Sequence, residues 1–261
     1  MNQFEHLLVE KNEGLALVTL NRPKQLNALN KALLSELNEV FEALRDDTET
    51  KVVLLTGAGE KAFVAGADIK EFASFNGAQG AELSKEGHLT VFNVIEEFPK
   101  PVIAAVNGFA LGGGLELAMS AHIRIASNNA RMGLPETSLG LIPGYGGTQR
   151  LPQLIGKGRA LEMIFSAKMI DAETALSYGL VNQVVPQEEL LEAAKKMARS
   201  FMKNSIVAMG FAIESVNAGL LEGSVGYDVE VQAFGDCFET EDFKEGTQAF
   251  VEKRKPDFPG A

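Results

Sequence analysis

The chain has 261 residues, 46% hydrophobic and 23% charged, with 24 Lys and Arg against 35 Asp and Glu. That length can bury a sizeable core, in one large domain or in a domain with a smaller appendage. The formal net charge of −11 disfavours nucleic acid or an anionic membrane surface as a partner, so an anionic substrate would need a local basic patch.

The single cysteine, Cys237, excludes an intramolecular disulfide and a cysteine-based zinc site, and it suits a reducing compartment. The opening MNQFEHLLVEKNEG has no basic segment leading into an apolar one, so no signal peptide is expected. HLLVEKNEGLALVTL alternates and turns at Asn12-Glu13-Gly14, the pattern of a β-hairpin. Leu33, Leu34, Leu37, Val40, Phe41 and Leu44 then mark one face of an amphipathic helix. KVVLLTG reads as a buried strand. KAFVAGADIKEF passes from a strand through small residues, with Asp68 placed to cap a helix near Ile69.

PVIAAVNG is a second buried strand, which GGGLELAMSA turns into a helix. The stretch 101–123 is long enough to suggest a membrane span, but Pro101, Asn107, Glu116 and four glycines argue against one. HIRIAS and NARMGLPE read as strands, followed by the glycine-rich SLGLIPGYGGTQRL. Asp171 opens a short helix that Gly179 stops, LVNQVV is a last strand, and Pro186 opens a helical run. EELLEAAKKMARSFM, SIVAMGFAIESVNAG, VGYDVEVQAFGDCF and DFKEGTQAFVEKRK all read as helix. The expected organisation is a mixed α/β core over residues 1–185 and an all-α C-terminal region over 186–261. No sequence repeat of fixed period is visible.

Missing motifs narrow the chemistry. GYGGTQ has Gln149 where a dinucleotide fingerprint needs its third glycine, and IGKGRA lacks the rest of a P-loop. No nucleophile elbow exists, since Glu136 and Glu222 occupy the first glycine position of the two nearest matches. His6, His88 and His122 are far apart and lack metal-ligand spacing.

Glu116 stands alone in an apolar helix. A lone helical Glu usually points to water, but the residues from Gly113 onward are apolar on nearly every face, which marks a helix buried all round. A carboxyl there must be paired or accept a raised pKa, and no Lys or Arg is near it in sequence. It is therefore a candidate acid or base. Gly112, Gly113 and Gly114 could serve close packing, or could bare backbone N–H groups at the positive end of the helix for a developing oxyanion. Ala65, Gly66 and Ala67 offer a second such turn. Glu136 lies in a stretch poor in charge and by itself reads more readily as a surface-turn or helix-start acid. Taken together, these features suit a carbonyl oxygen held between two backbone donors, with two carboxyls over the adjacent carbons.

NRPKQLNAL, AFVAGADIKE, KPVIAAVNGFALGGGLELA, PETSLGLIPGYGGTQRL and FVEKRKPDF, in this order, resemble the landmarks of the crotonase superfamily, specifically its enoyl-CoA hydratases. The resemblance covers essentially the whole chain. It implies an α/β spiral of ββα units and a helical C-terminal region that serves oligomerisation and covers the active site. It also implies homotrimers that often pair into hexamers; the expected location, from the lack of a visible signal peptide or membrane span and from the single cysteine, is the cytoplasm. The matching oxyanion-hole amides are those of Ala67 and Gly113, and the catalytic acids are Glu116 and Glu136. The coenzyme A adenine would lie along Ala65, Gly66, Ala67, Asp68, Ile69 and Lys70, with Lys24 and Lys70 as phosphate partners. The implied reaction is hydration of a 2-trans-enoyl-CoA, with the acyl-CoA thioester as substrate and no metal, redox cofactor, nucleic acid or membrane involved. A 3,2-enoyl-CoA isomerase, an acyl-CoA hydrolase, and a non-catalytic acyl-CoA- or RNA-binding protein are the alternatives. The chain departs from the commoner pattern at Leu115 and at Met132-Gly133-Leu134, positions placed to affect the acyl pocket.

Overall fold

The computed structural model describes residues 4–220 and 226–261. Residues 1–3 of the N-terminal stretch and Val225, where an expected helical run begins, lie outside the described residues. β1 (Leu7–Asn12) and β2 (Leu15–Leu20) form the expected hairpin. Glu13 and Gly14 take φ of 48° and 82°, the positive values that a two-residue turn needs to match strand twist. α1 (Lys31–Asp46) is capped by the Asn30 side chain and buries Leu33, Leu37, Val40, Phe41 and Leu44, as the spacing requires.

After β3 (Val52–Gly57) and β4 (Ala62–Val64), Asp68 does not cap a full helix. Only one 3₁₀ turn (Ile69–Glu71) follows, with no side-chain cap bond, and the Asp68 carboxylate lies 3.7 Å from Arg22 instead. The helix comes later, as α2 (Gly77–Gly87), a π turn (His88–Phe92) and α3 (Asn93–Glu96). Asn76 and Gln79 open it with a reciprocal capping box. No apolar periodicity marks α2, because it is exposed along most of its length and carries three glycines.

Next come β5 (Val102–Val106), β6 (Phe109–Leu111), α4 (Gly113–Ser120), β7 (Ile123–Ser127) and β8 (Arg131–Gly133). They are followed by α5 (Gly147–Ile155), α6 (Lys157–Ser166), β9 (Ile170–Asp171), α7 (Ala172–Tyr178) and β10 (Gln183–Val185). Asp171 caps α7 and Gly179 ends it in the left-handed conformation. α8 (Leu190–Phe201), α9 (Ile206–Gly219), α10 (Gly226–Cys237) and α11 (Glu241–Glu252) follow.

One sheet has the order β1-β2-β3-β5-β7-β10 and the other β4-β6-β8-β9. Strands pair in parallel except β1 with β2 and β8 with β9. Three times the chain passes through the larger sheet, turns, adds a short strand to the smaller one and continues into helix. These passes are β3–β4, β5–β6 and β7–β8. This is the expected spiral of ββα units. The units start at residues 52, 102 and 123, so the repeat has no fixed period to read.

The larger sheet is covered on both faces. Val53, Leu55, Ala104 and Val106 face the main core, while Val52, Leu54, Ile103 and Ala105 pack with Leu190, Ala194 and Ala198 of α8. Burial on both sides is why VVLL and VIAAV read as unbroken apolar runs rather than alternating ones. No helix among the described residues is long and apolar enough to cross a membrane.

Candidate active site

β4, β6 and β8 are neighbours in the smaller sheet and run parallel, so their carboxyl ends share one edge. Ala67 follows β4, Gly112, Gly113 and Glu116 follow β6, and Glu136 follows β8. Residues far apart in sequence thus meet at the edge where parallel sheets commonly hold ligands.

At Ala67 the parallel bridge to Leu29 uses the flanking residues. Leu29 N donates to Gly66 O at 2.9 Å, and Asp68 N donates to Leu29 O at 2.7 Å. The Ala67 N–H therefore points away from Leu29, and no partner for it is found among the described residues. The three glycines after β6 divide the work. Gly112 has φ 51° and ψ −128°, its amide donates to Gly133 O at 2.9 Å, and a Cβ on it would lie 2.7 Å from Glu136 Oε1. Gly113 opens α4 with an amide that, among the described residues, donates to nothing. Gly114 packs α4 onto β4 so closely that a Cβ would lie 2.1 Å from Val64 O. Leu29 links the two turns, since its backbone bridges Ala67 and its side chain reaches the space beside Gly113.

α4 is buried along its whole length, including Glu116 at 1% exposure. Glu116 Oε1 accepts from the amides of Tyr145 (2.7 Å) and Gly147 (2.8 Å). Burial pushes the carboxyl up to about 7. The amide of Gly147 opposes this, the nearby Glu136 adds to it, and the amide of Tyr145 and the charge of Arg150 oppose it. Glu136 stands in a 3₁₀ turn (Glu136–Leu139), and its Oε2 is buried without a hydrogen bond. Burial raises its pKa as well. The arrangement provides two close carboxyls that cannot both ionise cheaply, on the edge that also carries two unused amides.

The segments of the expected coenzyme A site also lie side by side. Ala65 N donates to Leu26 O at 3.0 Å, which holds the turn bearing Lys24 against the turn 65–70. Lys24 and Lys70 are exposed, and neither forms an ion pair among the described residues. Asp68 is held toward Arg22.

Three functional positions were not marked in the sequence. Tyr145 and Gly147 hold Glu116 through backbone amides, which carry no side-chain signature. Arg150 supplies the cation that Glu116 lacks in its own neighbourhood of the sequence. Arg150 is only 6% exposed, but its place in the glycine-rich GYGGTQRL gives no periodicity from which that burial could be read.

The interlocked sheets and the edge site define a crotonase fold. The chain belongs to the enoyl-CoA hydratase/isomerase family, whose model matches residues 10–261. It is 49% identical over 254 residues to the short-chain-enoyl-CoA hydratase of Clostridium acetobutylicum, covering 97% of each chain. It is 46% identical over 256 residues to the crotonyl-CoA hydratase of Syntrophomonas wolfei, covering 98% of each. The crystal structure of enoyl-CoA hydratase from Bacillus anthracis superposes with a TM-score of 0.92 at 43% identity, covering 98% of this chain and 100% of that one.

Proposed function

We propose that the protein adds water across the double bond of a 2-trans-enoyl-CoA to give the 3-hydroxyacyl-CoA, as in fatty-acid β-oxidation. The observation that carries the residue assignments is the buried Glu116 pinned by two amides, with Glu136 close by, at an edge holding two free amides.

In this reading the thioester oxygen accepts from the amides of Ala67 and Gly113. Water attacks C3 and gives a proton to Glu116. The double-bond electrons move through C2 towards the thioester oxygen, where the two donors stabilise enolate charge. Glu136 then protonates C2 and the electrons return from oxygen. The resting pair holds one proton. Turnover uses the form with the proton on Glu136; the two N–H donors to Glu116 and the unpartnered Oε2 of Glu136 favour it, against the burial that raises the Glu116 carboxyl. Exchange with solvent resets the pair after each turnover. The scheme uses no metal or redox cofactor, and coenzyme A enters as part of the substrate.

The same reading assigns coenzyme A to Lys24 and to the turn 65–70, and places the protein in the cytoplasm as a trimer or a hexamer of paired trimers. Exposed apolar side chains on the C-terminal helices, among them Val216, Tyr227, Val231 and Phe234, support an assembly that covers them. The test is loss of the conjugated-enoyl absorbance of crotonyl-CoA with formation of 3-hydroxybutyryl-CoA. Release of free coenzyme A would instead indicate a hydrolase. Double-bond migration without hydration would indicate an isomerase.

A further inference from the structure

The segment 144–147 that holds Glu116 is itself held from behind. Arg150 Nη1 donates to Tyr145 O at 2.9 Å, and Nη2 donates to Asn93 Oδ1 at 3.0 Å and to Glu96 Oε2 at 2.6 Å. Ser84 Oγ donates to Gly144 O at 2.5 Å. The Tyr145 ring stacks on Phe92 at 4.7 Å and lies so close to Gly87 that a Cβ there would be 2.3 Å from its Cε1. One helical run, residues 77–96, therefore supplies every one of these contacts to the loop except the arginine.

That run can do so because of its π turn. At about 100° per residue, an uninterrupted α-helix would put Asn93 roughly 180° and Glu96 roughly 120° away from Ser84. The extra residue of a π turn subtracts about 100°, which brings both round to within roughly 80° of Ser84. The π turn (His88–Phe92) sits between Ser84 and this pair. The irregularity thus points the acceptors at Arg150, at the expense of regular helical bonding.

Resting on the reading of Glu116 as the base, we propose that Arg150, anchored by Glu96 and Asn93, is a positioning residue for the hydration. It fixes the Tyr145 carbonyl, in the peptide between the two whose amides hold the Glu116 carboxylate, and its charge favours the ionised form that takes the proton from water. The groups facing this centre are Glu136 from the 3₁₀ turn, Tyr145 from the loop, and His88 and Glu96 from the helical run. Burial and Arg150 both lower the pKa of His88, so Glu96 is the neighbour that carries the balancing charge.

The experiment compares wild type with Arg150→Met, Arg150→Lys, Glu96→Gln and Glu116→Gln on crotonyl-CoA, recording kcat, KM and the pH dependence of kcat. A misplaced catalytic group can lose about 10²-fold, so kcat of Arg150→Met should fall by about 10- to 100-fold with KM little changed. Its acidic limb should move up by about one pH unit, the lower end of what loss of an opposite charge produces. Arg150→Lys keeps the charge and loses the fork, so its kcat should drop while the limb stays. Guanidinium in the buffer should restore part of the activity of Arg150→Met. A folded Arg150→Met with wild-type kcat and limb would overturn the proposal. So would equal losses in Arg150→Met and Arg150→Lys that track thermal stability with no limb movement. If Arg150→Met does not fold, Arg150→Lys and Glu96→Gln decide, because wild-type kcat in both also refutes it. An inactive wild type would sink the hydratase reading itself, and an active Glu116→Gln would sink the role of Glu116. Both are separate from a failure at Arg150 alone.

Discussion

Replacing Gly113 by proline separates a catalytic amide from a packing glycine. The Gly113 N–H donates to nothing among the described residues, so its removal breaks no internal hydrogen bond. Proline is also tolerated at the first position of a helix, which Gly113 occupies. The new Cβ would lie 3.1 Å from Leu29 Cδ1 and 3.4 Å from Tyr145 Cδ2, tight contacts that the flexible end of Leu29 can relieve by a few tenths of an ångström. Overpacking of about 1 kcal/mol is the expected stability cost, at the low end of its usual range. Loss of one oxyanion donor should lower kcat by about 10²- to 10³-fold, or about 3–4 kcal/mol. Gly113→Ala keeps the donor, and its methyl group meets the same neighbours, so it should retain most of the activity. Gly114→Ala is the structural contrast. Its Cβ would lie 2.1 Å from Val64 O, a backbone atom that cannot step aside, so that variant should fail in folding rather than in catalysis. The assay is crotonyl-CoA hydration with butyryl-CoA binding by calorimetry, after circular dichroism and oligomer size are shown to match wild type. A well-folded Gly113→Pro enzyme with near-normal kcat would refute the donor role.

Glu116→Gln and Glu136→Gln keep shape and remove proton transfer, so each should lower kcat by at least about 10²-fold. The double variant should be far less than additively worse, because the two act as one unit, and steady-state kinetics on all three checks this. The raised pKa of Glu116 also has a stability consequence. A carboxyl at 4.5 when unfolded and about 7 when folded contributes its full stability below pH 4.5 and loses it as pH rises through 7. That loss is roughly 3 kcal/mol, so Glu116→Gln should gain on wild type by about that amount between pH 4 and pH 8 in denaturant titrations. Lys24→Ala and Lys70→Ala should raise KM for acyl-CoA by several-fold while leaving kcat alone, with the KM difference shrinking at high salt; an unchanged KM would return both lysines to solvent.

How much could be read in advance depended on burial. α1 was legible because one face is core and the other is wet, and β3 and β5 because both of their faces are covered. Glu116 was conspicuous for the same reason: a helix buried on all sides leaves a carboxylate nowhere to go. β6 was missed because it has three residues, and α5 because it begins in a glycine-rich stretch and contains Pro152. The helical run 77–96 was missed because its first turns face water and its π turn breaks the 3.6-residue period. The contacts that shape the site were harder still. Arg150 comes near Glu116 through the spiral topology, and the two clamping groups are backbone amides.

The three glycines are not one motif with one purpose, and this explains how a carboxylate can stay in a dry helix. Gly114 presses α4 against β4, which fixes the depth of Glu116 on one side. On the other side the amides of Tyr145 and Gly147 replace the water that burial removes, so the carboxyl is desolvated without being abandoned. Gly112 then sets the second acid. Its amide ties the end of β6 to the end of β8 through Gly133, and its missing Cβ leaves the space that Glu136 Oε1 approaches. The position of the Glu136 carboxyl thus depends on a backbone contact between neighbouring strands and on the absence of a side chain at Gly112. Among the described residues the amides of Gly113 and Gly114 both donate to nothing, and of these two the proposed reaction uses that of Gly113, the first residue of α4. Every helix start leaves such donors unpaired, but this one opens a helix buried along its whole length, where a donor calls for an acceptor that the thioester oxygen would supply in the proposed reaction.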